Sequence, residues 1–259
     1  MAEKKKYPRI YHTEWSPNLQ NDDRLIDTME HFVGKRVIKS LKIDGENASL
    51  SRDYYHARSL DTSDHPSRHW IKSLWSSIRW DIPENFVLTG ENLFALHSVF
   101  YTDLPSYFFL FGIFDGNNYL PWDQVVEWAE LLGLETTPVL YDGIYNEEKI
   151  KQFEENKNET EIKGWGPKEG ITLADLYMDG AETDLDDYTF ADFRNFIEYG
   201  WPLEKFAQEV QEGYVVRIAY GFHYDDFDKY ISKVVKRGHV QTSNHWLDEK
   251  VIPNRLKEK

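Results

Sequence analysis

Lys42-Ile43-Asp44-Gly45-Glu46-Asn47 is the stretch that decides how this chain is read. A lysine, a spacer, an acid and a glycine in this order put a lysine side chain at the end of a strand, just before a turn. Alone, the tetrapeptide also describes many ordinary turns. Downstream, in order, stand Arg58, Thr89-Gly90-Glu91, Gln211-Glu212-Gly213-Tyr214-Val215-Val216 and Ser232-Lys233-Val234-Val235-Lys236. The ordered set is far more specific than any member. A lysine that attacks phosphorus must be neutral when it does so, and a nearby cation or a desolvating pocket lowers its pKa to permit this. Lys233 is the candidate cation. Glu91 and Glu212 suit a divalent metal or ribose hydroxyls, because hard cations take oxygen ligands. Arg58 suits phosphate through its planar fork. Phe114, or else Phe111, sits late in an apolar strand and suits stacking on a base.

Composition narrows the classes. The chain has 259 residues, enough for one large domain with a substantial core, and its 9 Trp, 16 Tyr and 15 Phe argue against disorder. The absence of cysteine removes disulfide frameworks, zinc–thiolate sites and cysteine catalysis. The basic start, Met1 to Tyr7, lacks the apolar core of a secretory signal, and no apolar run is long enough for a membrane span. A cytoplasmic protein without a membrane partner is expected. The net charge of −15 weighs against non-specific coating of nucleic acid. A local basic groove remains open, since basic residues cluster in Lys4 to Lys6, Lys35 to Lys42 and Lys229 to Arg237. The acidic runs Glu147 to Glu161 and Asp179 to Asp187 read as solvated helix face and loop. His65 and His69 have helical metal spacing, but Pro66 lies between them and no third ligand is evident.

Periodicity places the motifs on elements. Asp22 to Phe32 reads as an amphipathic helix with Leu25, Met29 and Phe32 on one side. Val37 to Ile43 reads as the strand that delivers Lys42. Ala48–Arg52, Tyr54–Arg58, Phe86–Gly90, Tyr107–Phe114, Val139–Tyr141, Tyr214–Ala219 and Tyr230–Val235 read as further strands. Ser67–Trp80, Pro121–Leu132, Asn146–Asn158 and Phe190–Tyr199 read as helices, and Glu159–Asp187 as a polar surface excursion.

These motifs resemble the RNA ligase branch of the covalent nucleotidyltransferases, whose relatives are DNA ligases and mRNA capping enzymes. The resemblance runs from about Val37 to Lys236. It implies an α+β nucleotidyltransferase fold, with mainly antiparallel sheets forming an ATP groove and helices at the periphery. It implies that Lys42 becomes lysyl-AMP, that Asp44 and Arg58 belong to the ATP site, and that Glu91 contacts the ribose. Asn47 resembles an asparagine of the nick-sealing subgroup that contacts phosphate. Phe111-Gly112-Ile113-Phe114-Asp115 resembles the strand that stacks the purine, with Phe114 the first choice. Glu212 and Glu91 would hold Mg2+ or Mn2+, and Lys233 would be the first lysine of the fifth motif. The second lysine of that motif falls on Val235, so either Lys236 substitutes or Lys233 acts alone. The implied partner is RNA with 3′-hydroxyl and 5′-phosphate ends, sealed in RNA repair, with a monomer as the simplest state. Residues 1–240 would form the catalytic domain and 241–259 a short extension, too short for the OB domain of DNA ligases and capping enzymes. A DNA ligase, a GTP-dependent capping-type enzyme and a non-catalytic nucleotide-binding or RNA-binding module stay as alternatives.

Overall fold

A computed structural model of the chain describes residues 3–152, 212–236 and 251–257, apart from positions 18, 20, 22, 61, 62, 98, 100 and 252. The expected excursion over 159–187, the expected helix over 190–199 and the stretch 239–246 lie outside the described residues. The fold is α+β, built on two mainly antiparallel sheets. The first sheet has strand order β1 (Tyr11–His12), β12 (Ile231–Val235), β10 (Gly213–Ile218), β2 (Arg36–Lys42), β9 (Val139–Ile144). Only β1 and β12 run parallel in it. The second has order β11 (Phe222–His223), β7 (Asn118–Tyr119), β6 (Phe108–Asp115), β5 (Phe86–Asn92), β3 (Glu46–Leu50), β4 (Tyr55–Ala57), and β8 (Glu135–Thr136) joins β6 in parallel. Among the described residues no helix is long and apolar enough to cross a membrane.

Strand alternation explains which side chains face the space between the sheets. In the β2–β10–β12 ladder, Lys42 lies opposite Gly213, and Ser40 and Lys233 both lie opposite Val215. These residues share one face. The alternate residues Val37, Tyr214, Val216 and Val234 face away and are buried with Phe32 and Ile150 in a core behind the sheet. A second core joins Ile38 to Ala48, Leu50, Leu88, Leu110 and Ile113 of the second sheet. Against it pack α1 (His69–Ile78), through the fully buried Ile71, and α2 (Trp122–Leu132), through Val125 and Ala129. Ile71 and Val125 each contribute about 1.5–3 kcal/mol by leaving water, which offsets part of the entropy of ordering the helices.

Two expected helices are corrected. Over 22–32 only Glu30–Phe32 forms a helical turn, of the 3-10 type. The backbone before it is used elsewhere: His12 N–H donates to Arg24 O and Ile26 N–H to His12 O, both at 2.8 Å. Residues 24–26 are thereby held extended beside β1, a tertiary pairing that overrides the helical period. Of the helix expected over 146–158, α3 (Glu147–Lys151) forms and Gln152 turns extended, while residues 153–158 lie outside the described residues. A final short helix, α4 (Phe227–Tyr230), leads into β12. Residues 253–257, distant in sequence, pack against residues 93–107.

Candidate active site

The two sheets face each other across a cleft of about 350 Å³. Lys42 stands on its floor at the end of β2, and its Nζ donates to Glu212 Oε2. Glu212 reaches it because Gly213 lies opposite Lys42 in the ladder. That position needs glycine: a Cβ on Gly213 would meet Val234 O at 1.9 Å. Across the cleft, Asn47 on β3 lies opposite Glu91 on β5. Lys233, Arg58, Glu91, Asn47 and Phe111 all line the space. Among the described residues Asn47 Oδ1 is buried without a hydrogen-bond partner, an acceptor on a residue that lines the cleft.

The electrostatics invert one expectation. Lys42 was to be pushed towards neutrality. Burial does push that way, but the negative charges of Glu212, Glu91 and Asp44 outweigh it and hold the Lys42 pKa above the ordinary lysine value. Lys42 is therefore a paired ammonium in the free protein. Lys233 moves the other way, lowered by burial and then by the charge of Lys42. Glu91 is raised to about 8, first by burial and then, against the pull of Lys42, by the like charges of Glu212 and Asp44. Among the described residues no three His, Cys, Asp or Glu side chains converge as a ready-made metal site. Glu91, Glu212 and Asp44 nonetheless form a group of carboxylates around Lys42 whose like charges act on one another. Glu91 and Glu212 thus fit a hard divalent cation by charge and ligand type.

Two expected residues lie elsewhere. Phe114 is 6% exposed, inside an aromatic cluster with Tyr119, Tyr224 and Phe227, and the ring of β6 on the cleft wall is Phe111. A register shift beside Thr89 and Gly90 on β5, facing this part of β6, leaves Phe111 outside the Cα pairing, whereas Phe114 pairs with both Val87 and Tyr119. Lys236 follows β12, with its N–H bonded to Glu212 O at 3.0 Å, and does not line the cleft. On β12 it is Val235 that pairs with Gly213, so the second lysine position of the fifth motif carries no charge.

Sequence reasoning missed Tyr7, Arg9, Asp23 and Arg217, all on the cleft. Tyr7 packs edge-on against Phe111, with centroids 5.1 Å apart. Asp23 Oδ1 lies 3.6 Å from Arg9, 3.2 Å from His12 Nε2 and 3.9 Å from Lys233 Nζ, tying the segment before β2 to β12. His12 is lowered to about 4, by burial first and by Lys233 next, so it is neutral at physiological pH. Arg217 is buried, lies 4.3 Å over the Tyr119 ring and donates to Leu120 O at 2.7 Å. One signal pointed to it: an arginine within the apolar run Tyr214 to Ile218. The outcome is a cationic pocket in a chain of net charge −15.

Fold and cleft together define the class: a two-sheet α+β protein with a lysine on the floor of a cleft between the sheets. The chain belongs to the RNA ligase family, whose model matches residues 35–235. Among solved structures it is similar to an archaeal ATP-dependent RNA ligase, at 12% identity over 90% of this chain and 48% of that one, TM-score 0.44. A Naegleria gruberi RNA ligase variant with ATP and Mn is 14% identical over 89% and 58%, TM-score 0.42. A putative ATP-dependent DNA ligase from Aquifex aeolicus is 15% identical over 89% and 50%, TM-score 0.45. This chain spans about half the length of these structures. No curated protein matches it.

Proposed function

We propose that this chain is an ATP-dependent RNA ligase that joins 3′-hydroxyl and 5′-phosphate RNA ends, in RNA repair, with Lys42 as nucleophile. The observation that carries this reading is Lys42 Nζ on the floor of a cleft whose walls present Arg9, Arg58 and Lys233. Glu212 accepts the Lys42 hydrogen bond and aims Nζ into the cleft. Once Nζ has lost a proton it attacks the α-phosphorus of ATP. The bond to the bridging oxygen breaks, pyrophosphate leaves with the electron pair, and lysyl-AMP remains. Arg9, Arg58 and Lys233 bind phosphate oxygens, and Phe111 offers its ring to the base. Magnesium or manganese held by Glu91 and Glu212 would supply positive charge that offsets these carboxylates and favours neutral Lys42. AMP then passes to the 5′-phosphate of RNA, freeing Lys42. The 3′-hydroxyl attacks that phosphorus, AMP departs, and the phosphodiester forms.

The test is incubation of the purified protein with α-labelled ATP or GTP and magnesium, read on a denaturing gel and by intact mass. Label from ATP that vanishes in Lys42→Ala is the expected result. Normal labelling of Lys42→Ala would sink the assignment, and label from GTP alone would point to a capping-type enzyme.

A further inference from the structure

The nucleophile is held in place by residues far from it in sequence and outside the span that matches the family. Asn254 is 1% exposed, and both ends of its amide are committed. Its Oδ1 accepts from Tyr101 N–H at 2.9 Å, and its Nδ2 donates to Leu93 O at 2.7 Å and Ala95 O at 3.3 Å. Its backbone donates to Phe94 O at 2.8 Å and accepts from Tyr107 Oη at 2.8 Å. Arg255 N–H donates to Tyr101 O and Lys257 N–H to Leu104 O. One asparagine therefore stitches both ends of the 93–101 segment, using donors and acceptors that would otherwise be buried without partners.

That segment grips the nucleophile motif. Val99 N–H donates to Asp44 Oδ2 at 3.1 Å, and Asp44 N–H donates to Tyr101 Oη at 3.1 Å. Leu93, Val99, Tyr101 and Leu104 form one core with Leu41 and Ile43, the two neighbours of Lys42. Gly45 lies so close to the end of β5 that a Cβ would meet Asn92 O at 2.5 Å, so the turn after Lys42 has no room to shift.

We propose that Asn254 is a positioning residue for Lys42, acting through Tyr101 and Asp44. This rests on the reading of Lys42 as the adenylylated nucleophile. A nucleophile displaced by about 1 Å loses up to about a hundredfold in rate. Asn254→Ala is expected to slow single-turnover lysyl-AMP formation at least about tenfold at saturating ATP, while the ATP concentration for half-maximal rate changes little. Tyr101→Phe, which removes only the oxygen facing Asp44, is expected to slow the same step. The double variant should be no slower than the slower single variant, because both act through one contact. All rates are measured well below each unfolding midpoint. An Asn254→Ala rate equal to wild type, or effects that multiply in the double variant, would overturn the proposal. A wild-type protein that takes no label would overturn the adenylylation reading instead. Amide exchange then decides the clamp: faster exchange at Asp44 and Val99 in Asn254→Ala upholds it, and unchanged exchange overturns it.

Discussion

Glu91→Gln is expected to make the protein more stable while disabling it. The Glu91 carboxyl has an ordinary pKa of 4.5 and one of about 8 in the fold, chiefly because burial disfavours its charge. Between those values the folded carboxyl keeps a proton that the unfolded one has lost. The native state then binds more protons, so stability falls as pH rises through this window. At about 1.4 kcal/mol per unit, the shift costs about 4 kcal/mol at pH 8. The cleft is open to water, which screens part of this and leaves about 1–2 kcal/mol. Glutamine is neutral throughout and carries no such cost. With an unfolding entropy of roughly 2 cal/mol/K per residue, Glu91→Gln should melt about 2–4 °C above wild type at pH 8. Near pH 4.5 both side chains are neutral and the two midpoints should meet. The assay is thermal unfolding followed by tryptophan fluorescence, in a chelator so that no metal binds. A midpoint difference that is the same at both pH values would refute the reasoning. Adenylylation by the same variant should fall, the opposition expected where a site stores electrostatic strain.

Two further perturbations test the architecture. Arg68 Nε donates to both oxygens of Glu46, at 3.0 and 2.9 Å, in a pair 5% and 9% exposed. Arg68→Ala leaves that carboxylate buried and alone, at a cost of about 3–5 kcal/mol; urea unfolding should show the loss, Arg68→Lys should recover only part of it because an ammonium lacks the fork, and an unchanged midpoint would contradict the pairing. Gly213→Ala drives a methyl into Val234 O, so β10 must part from β12 and carry Glu212 off Lys42; lysyl-AMP formation should slow at least about tenfold, and wild-type labelling would count against Glu212 as the residue that aims Nζ.

β2, β3, β4, β5, β6, β10 and β12 were legible because they alternate or run apolar, and β2 ends at Lys42 as the motif required; the two-residue strands β1, β7, β8 and β11 are too short to carry a period and were missed. The helix over 22–32 was not, since Leu25, Met29 and Phe32 have helical spacing and only the pairing with His12 cancels it. β6 is apolar on both faces, so the sequence does not say which of Phe111 and Phe114 meets the cleft, and a register shift in the neighbouring strand falls beside Phe111. Arg9 and Asp23 reach the site by folding back along β12, a contact that no local pattern in the first thirty residues records. The charge of Lys42 was misjudged for a related reason: the sequence supplies the ions, but the order of distances among them decides the sign of the shift.

Lys42 and Glu212 are separated by 170 positions, and β10, which Glu212 immediately precedes, lies between β2 and β12. On the ribosome the lysine emerges long before Glu212, its hydrogen-bond partner, and Lys233. Until β10 and β12 have been made, Lys42 is an ordinary solvated amine beside an unpaired edge strand. The cleft floor is thus completed only once residues 212–235 have been made. If Lys42 is the nucleophile proposed above, the same high contact order that slows folding would also keep a nascent chain from meeting ATP with that lysine in place.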